Sequence, residues 1–127
     1  LAEYERALEE VVNTAEQLKI DLFELKCCDA LVVEEDSEII GFALYYTNYS
    51  TWKGKCLYLE DFYLKPEKRR GGRGEQLFLE VVKEAKRRKV KRMDWQVLDW
   101  NEPAIKFYKK VGATLDETWI NGRLFFD

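Results

Sequence analysis

Six residues, Arg69-Arg70-Gly71-Gly72-Arg73-Gly74, stand between an apolar stretch and a helical one, and they narrow the fold more than any other feature. Ahead of them, Cys56-Leu57-Tyr58-Leu59-Glu60-Asp61-Phe62-Tyr63-Leu64 reads as part of a long strand over residues 55–64. Behind them, residues 75–89 carry a helical period, with Leu77, Phe78, Val81, Val82 and Ala85 on one face. Glycine lets a backbone turn sharply and approach a ligand closely. The first N–H groups of a helix have no partner within it, and the helix dipole adds positive potential there. Strand, glycine turn and helix together make an anion site suited to phosphate; a glycine-rich turn alone is also what any tight loop needs.

Composition sets the outer limits. With 127 residues, 46% apolar and 35% charged, the chain reads as one globular domain over 1–127. No apolar run reaches the ~20 residues that span a bilayer, and no signal peptide is read, so no membrane partner is expected. Three cysteines, of which Cys27 and Cys28 are adjacent, do not resemble a disulfide framework and predict a reduced, cytoplasmic protein. Basic residues cluster at 65–73 and 83–92, yet the net charge is −3. The second cluster lacks interleaved aromatics and reads as a solvated helix face, so no nucleic-acid partner is expected. Histidine is absent, which excludes His-dependent triads and His-ligated metals; no metal is expected. Proton transfer falls to Tyr, Asp, Glu, Cys, Lys or water.

Along the chain, residues 2–18 read as a helix with Leu8, Val11, Val12, Ala15 and Leu18 in one stripe, and residues 20–28 fit no single element. Strands are expected at 30–35 and 38–46 around a turn at Asp36-Ser37, followed by a polar loop at 48–54. After the second helix comes a strand at 91–98, then a short helix with Asn101 as N-cap, Pro103 in its first turn, an end at Val111 and Gly112 beyond it. Residues 115–120 and 123–126 flank Asn121-Gly122, a hairpin signal. The expected class is α/β, a mixed and mostly antiparallel sheet flanked by helices.

Three groups of residues carry candidate chemistry. The turn itself offers Gly72, Gly74 and the N–H groups of residues 72–76 to an anion, with Arg69 and Arg73 adding charge; Glu75 suits the helix dipole, but its carboxylate repels phosphate unless it turns outward. Asn101 caps the short helix, and Tyr108 lies about two turns further on nearly the same face. A tyrosine hydroxyl there is either a general acid for a leaving thiolate or an ordinary packed side chain. Glu60 and Asp61 interrupt an apolar strand and are expected on opposite faces, at least one of them partly buried. Such a carboxylate either takes a proton from an incoming ammonium or forms a structural salt bridge. Cys56, at the strand's start, is the less favoured route to a covalent mechanism.

Arg-x-x-Gly-x-Gly after a strand, with the later run Asn101 to Gly112-Ala113 that includes Phe107-Tyr108, resembles the GCN5-related N-acetyltransferase (GNAT) superfamily. Asn48-Tyr49-Ser50-Thr51-Trp52-Lys53-Gly54-Lys55, Tyr58-Leu59-Glu60-Asp61, Pro66-Glu67 and Val97-Leu98-Asp99-Trp100-Asn101 resemble its spermidine/spermine N1-acetyltransferase family. The Ser-Thr-Trp-Lys-Gly form is most like the thialysine N-ε-acetyltransferase branch. The resemblance implies acetyl-CoA as co-substrate, a small primary amine as acceptor, and a homodimer.

Residue by residue, the resemblance implies that Tyr108 protonates the departing thiolate and that Glu60 deprotonates the amine through water. Trp52 and Asp61 match positions near the acceptor, and Phe62 and Leu64 match the backbone that pairs with the pantetheine arm. Arg69, Arg70, Gly71, Gly72, Arg73 and Gly74 match the pyrophosphate turn, and Asn101 with Tyr108 the cofactor side. Arg73 and Glu75 stand where small or apolar residues are more usual in the family. Its first strand has no counterpart before Leu1, so the expectation is a domain truncated at its N-terminus relative to the family. The expected function is N-acetyl transfer from acetyl-CoA to a thialysine, diamine or polyamine. The alternative from another class is a non-catalytic acyl-CoA-binding or interaction module.

Overall fold

The computed structural model describes residues 1–126. The chain divides into two compact units after Gln96. The first opens on a turn and a short 3-10 helix, Leu8–Glu10, before α1, Ala15–Phe23. The single helix expected over 2–18 is therefore not formed, and Leu8, Val11 and Val12 stay exposed. Thr14 explains the later start. Its backbone is extended and its hydroxyl accepts the Gln17 N–H at 3.1 Å, so it caps a helix instead of lying inside one.

Four strands follow in spatial order β1-β2-β3-β4. β1 (Asp29–Glu35) and β2 (Glu38–Ser50) are antiparallel around Asp36-Ser37, both at positive φ (52° and 63°) as the tightest hairpin turns require. β2 continues through residues 48–50, which had been expected in a loop, because they pair with β3 (Gly54–Leu64). The connecting turn is Thr51-Trp52-Lys53, where the Ser50 hydroxyl accepts the N–H groups of Trp52 and Lys53 at 3.2 Å each.

One residue of β3 is extra. Leu44 faces Asp61 while Tyr45 faces Leu59, so Glu60 forms a β-bulge. A bulge leaves one residue outside the ladder and bends its strand. The fourth strand, β4 (Met93–Asp94), runs parallel to β3 opposite Leu57 and Tyr58 only. The bend corrects the expected strand over 91–98: beyond Tyr58 the ladder between β3 and β4 stops.

α2 (Arg73–Arg87) covers one face of the sheet with Leu77, Phe78, Val81 and Ala85, all buried. The buried apolar residues of the sheet are Ile40, Ala43, Tyr45, Cys56, Leu57, Leu59 and Leu64, and Phe78 sets its ring edge-on to Phe62 at 6.0 Å. Each large apolar side chain so removed from water contributes about 1.5–3 kcal/mol. At the helix's far end Arg88 reaches Glu84 at 2.8 Å, Asp29 at 2.6 Å and the Thr47 hydroxyl at 3.1 Å, with Tyr45 beneath its guanidinium.

The second unit contains α3 (Glu102–Lys110). Asn101 caps it, its side-chain oxygen accepting the Ala104 N–H at 3.3 Å. Gly112, at φ 91°, ends it, and the N–H groups of Gly112 and Ala113 return to the carbonyls of Lys109 and Tyr108. The expected hairpin around Asn121-Gly122 does not form among the described residues. The Asp116 carboxylate captures the Thr118 N–H at 2.9 Å and its hydroxyl at 2.7 Å, a local arrangement that competes with a strand ladder.

Candidate active site

The glycine turn begins where β3 ends. A short 3-10 helix, Pro66–Lys68, leads into it, and Gly71 and Gly72 follow at φ 88° and 80°. Gly72 is the N-cap of α2 and supplies no side-chain cap, so the helix N-terminus is left to its backbone. A Cβ at Gly72 would meet nothing within 4 Å, so the space over the turn is open. A backbone cradle at a helix N-terminus with room above it fits a phosphate group.

The turn's charged side chains are already tied. Arg69 Nε donates to the Leu64 carbonyl at 2.9 Å, and its guanidinium lies over the rings of Tyr4 (4.5 Å) and Tyr63 (5.4 Å). Arg73 Nη1 donates to the Arg70 carbonyl at 2.7 Å, while its Nε and Nη2 donate to Glu35 at 2.6 and 3.2 Å. Lys68 reaches the same carboxylate at 2.7 Å. The hydrogen bonds from Arg73 and then Lys68 hold the Glu35 carboxyl down at about 2, against a smaller opposing effect of burial. Arg70 is exposed, and Gly74 rests near Leu64, to which an added Cβ would come within 3.5 Å.

The bulge decides where the two acids of β3 stand. Asp61 pairs with Leu44 and Tyr58 with Tyr46, which share one side of β2, and Glu60 follows Tyr58 by two. Glu60 and Asp61 thus lie on the same face, away from α2; the opposite-face expectation fails because the bulge absorbs one step of the alternation. Tyr46 and Tyr58 stack beside them with ring centres 5.4 Å apart. Asp61 is half-buried and Glu60 exposed, and among the described residues neither is in a salt bridge.

Burial raises the Asp61 carboxyl to about 6, with Glu60 and Glu5 adding to the rise and the chain's amino group opposing it. Burial first and Glu60 second raise the Tyr46 hydroxyl also. A face that resists negative charge in this way favours a cation, and a carboxyl near 6 is matched to accepting a proton near neutrality.

The folded Asp61 carboxyl titrates above its unfolded value of ~3.9, so its burial costs nothing at low pH and destabilises as pH rises toward 6 and beyond. Asp61→Asn is expected to stabilise the protein by about 1–2 kcal/mol at pH ~8, after discounting for partial exposure, and to be neutral at pH ~4. Urea unfolding at the two pH values measures it; an equal effect at both would reject the assignment.

The remaining candidates lie elsewhere. Trp52 is 86% exposed at the tip of the β2–β3 hairpin. Glu60 is about 20 Å further along the strand at ~3.3 Å per residue, so the fold does not bring these two together. Phe62 and Leu64 sit on β3 beyond the end of its ladder with β4. In the second unit Asn101 and Tyr108 are both buried, and the Tyr108 ring lies edge-on to Phe107 at 5.5 Å. Among the described residues no three metal-ligating side chains cluster. Sequence reasoning missed Glu35 at the turn and Tyr46 and Glu5 around the acids, and it read Lys68 only as part of the basic cluster at 65–73. Glu35 gives no local signal, since its partner Arg73 is 38 residues away.

Residues 2–113 match the acetyltransferase (GNAT) family. The chain is 38% identical to a thialysine N-epsilon-acetyltransferase of Caenorhabditis elegans, over 98% of this chain and 79% of that protein. It is also 38% identical to the thialysine N-epsilon-acetyltransferase of Bos taurus, over 89% of this chain and 72% of that one. Among solved structures, an aminoglycoside acetyltransferase from an uncultured soil metagenomic sample superimposes with a TM-score of 0.80. It covers 99% of this chain and 83% of that one at 15% identity, a likeness of fold alone.

Proposed function

The chain belongs to the GNAT acetyltransferase family and is an N-acetyltransferase; from that premise we propose that it transfers acetyl from acetyl-CoA to the primary amine of a small cationic substrate by direct attack. The single observation that carries the reading is the acidic face made by the Glu60 bulge, on the strand that leads through a short 3-10 helix into the glycine turn. We take 1–127 as one acetyltransferase domain.

In this reading Gly71, Gly72, Gly74 and the first N–H groups of α2 hold the pyrophosphate, with Arg69 shaping the turn and Arg70 adding charge. The backbone of Phe62 and Leu64 lies on the part of β3 that continues past β4, where an extended amide-bearing arm can lie alongside as an added strand. Asn101 supports the cofactor side. The bound thioester supplies an activated acetyl group. Glu60 acts through water, with Asp61 beside it, to take the proton of the ammonium group. Tyr108 donates a proton to the departing sulfur.

For the acceptor, the acidic face favours a cation, and Ser50 stands where the polyamine branch more often carries an acid. The Ser50 hydroxyl is spent on the hairpin turn. Thialysine or a short amine is therefore the preferred acceptor over spermidine, and a homodimer in the cytoplasm is the setting. Side-by-side assays are expected to give thialysine the higher kcat/KM, and a higher value for spermidine would overturn the choice of acceptor.

A further inference from the structure

We propose that Glu35 is an internal counter-anion of the glycine turn, holding Lys68 and Arg73 on its carboxylate and so lowering the affinity of the turn for its anion. The inference rests on the acetyl-CoA reading for the identity of the natural anion, but the pairing itself is geometry. Glu35 is the last residue of β1, and Arg73 is the first of α2. All three guanidinium nitrogens of Arg73 donate within the protein, two to Glu35 and one to the Arg70 carbonyl. Lys68 Nζ is 2.7 Å from the same carboxylate.

Two of the positive charges around this turn are thus committed to one acid. Arg69 is occupied with the Leu64 carbonyl and two tyrosine rings. Among the described residues, Arg70 is the turn arginine whose side chain makes no hydrogen bond or ion pair. An anion at this turn meets backbone N–H groups and Arg70 directly, and meets Lys68 and Arg73 as cations whose charge Glu35 already offsets. The side chains of the trio are about one-third exposed or slightly less, where charges still act over several ångströms but salt screens them. A carboxylate in that place weakens anion binding most at low salt. It also makes the residual binding, which rests on backbone donors, less sensitive to salt.

The test titrates the full chain and its Glu35→Gln variant with inorganic pyrophosphate and, separately, with acetyl-CoA, at about 50 mM and about 500 mM salt. Glu35→Gln is expected to bind pyrophosphate about 5-fold more tightly at the lower salt, with the gain falling below about 2-fold at the higher. A merely structural tie would not produce that salt slope. Arg73→Gln, which leaves β1 untouched and serves if the Glu35→Gln protein melts, is expected to weaken pyrophosphate binding by less than about 2-fold, because that guanidinium is engaged elsewhere. Unchanged or weaker binding by Glu35→Gln at low salt overturns the proposal, as does a loss of about 10-fold or more in Arg73→Gln. Tighter pyrophosphate binding without any affinity for acetyl-CoA upholds the counter-anion and removes the acetyl-CoA reading. Equal binding of both probes by wild type and Glu35→Gln does the reverse.

Discussion

Replacing Tyr108 by phenylalanine is expected to lower kcat by about 10²–10³-fold while leaving acetyl-CoA affinity within about 2-fold. The substitution removes one oxygen and keeps the ring. Tyr108 is buried in α3 next to Phe107, and the helix around it is closed at both ends, by Asn101 and by Gly112. The helix therefore keeps its caps, and what is lost, on the proposed mechanism, is the hydroxyl that would protonate the thiolate. A thiolate leaving without that proton is a poorer leaving group, which raises the barrier of the chemical step and not the cost of binding. Pre-steady-state release of CoA and calorimetric binding separate the two effects. An unchanged kcat would reject Tyr108 as the acid, and a parallel loss of binding would make it a packing residue.

Gly41→Ala is expected to cost about 3 kcal/mol, the upper part of the range for overpacking, and to lower the melting temperature by roughly 10 °C. Gly41 is buried and pairs with Leu64. A Cβ there would lie 2.5 Å from Leu64 Cδ2 and 2.6 Å from the Tyr63 carbonyl oxygen. A side chain can turn away, but a backbone oxygen in a ladder moves only if the strands part. The same end of β3 supplies the carbonyl that holds Arg69, so acetyl-CoA affinity should fall with stability. Gly122→Ala is the control: nothing lies within 4 Å of its Cβ position, and a change within about 0.5 kcal/mol is expected. Thermal unfolding of the pair checks this, and equal melting temperatures would contradict the β2–β3 packing.

Local rules carried much of the fold. The stripe Leu77, Phe78, Val81 and Ala85, the Asn101 cap, Gly112 and the turn at Asp36-Ser37 each depend on neighbours in sequence and stand as read, except that Val82, read into the same stripe, is only half-buried. What was hidden depends on partners. The bulge at Glu60 exists only because β2 and β3 pair in two registers, and it moves Asp61 across the sheet. Glu35 reads as an ordinary strand-end acid until Lys68 and Arg73 arrive beside it. At the two ends, periodicity was outvoted by hydrogen bonds from side chains to the backbone: Thr14 starts a later helix, and Asp116 holds Thr118 where a strand was expected. Of the candidate site, the turn and Asn101 were legible as backbone features, whereas the electrostatics around Asp61 and Arg73 were not.

The most direct test of the central claim mixes the purified protein with acetyl-CoA and adds thialysine, following free CoA and N-acetylated amine together by chromatography. The predicted result is saturable acetyl-CoA binding, then release of CoA only when the amine is present, matched one for one by acetylated product. Acetyl-CoA that binds but is never consumed by thialysine, spermidine or a short diamine would contradict the account, as would a protein that does not bind it at all.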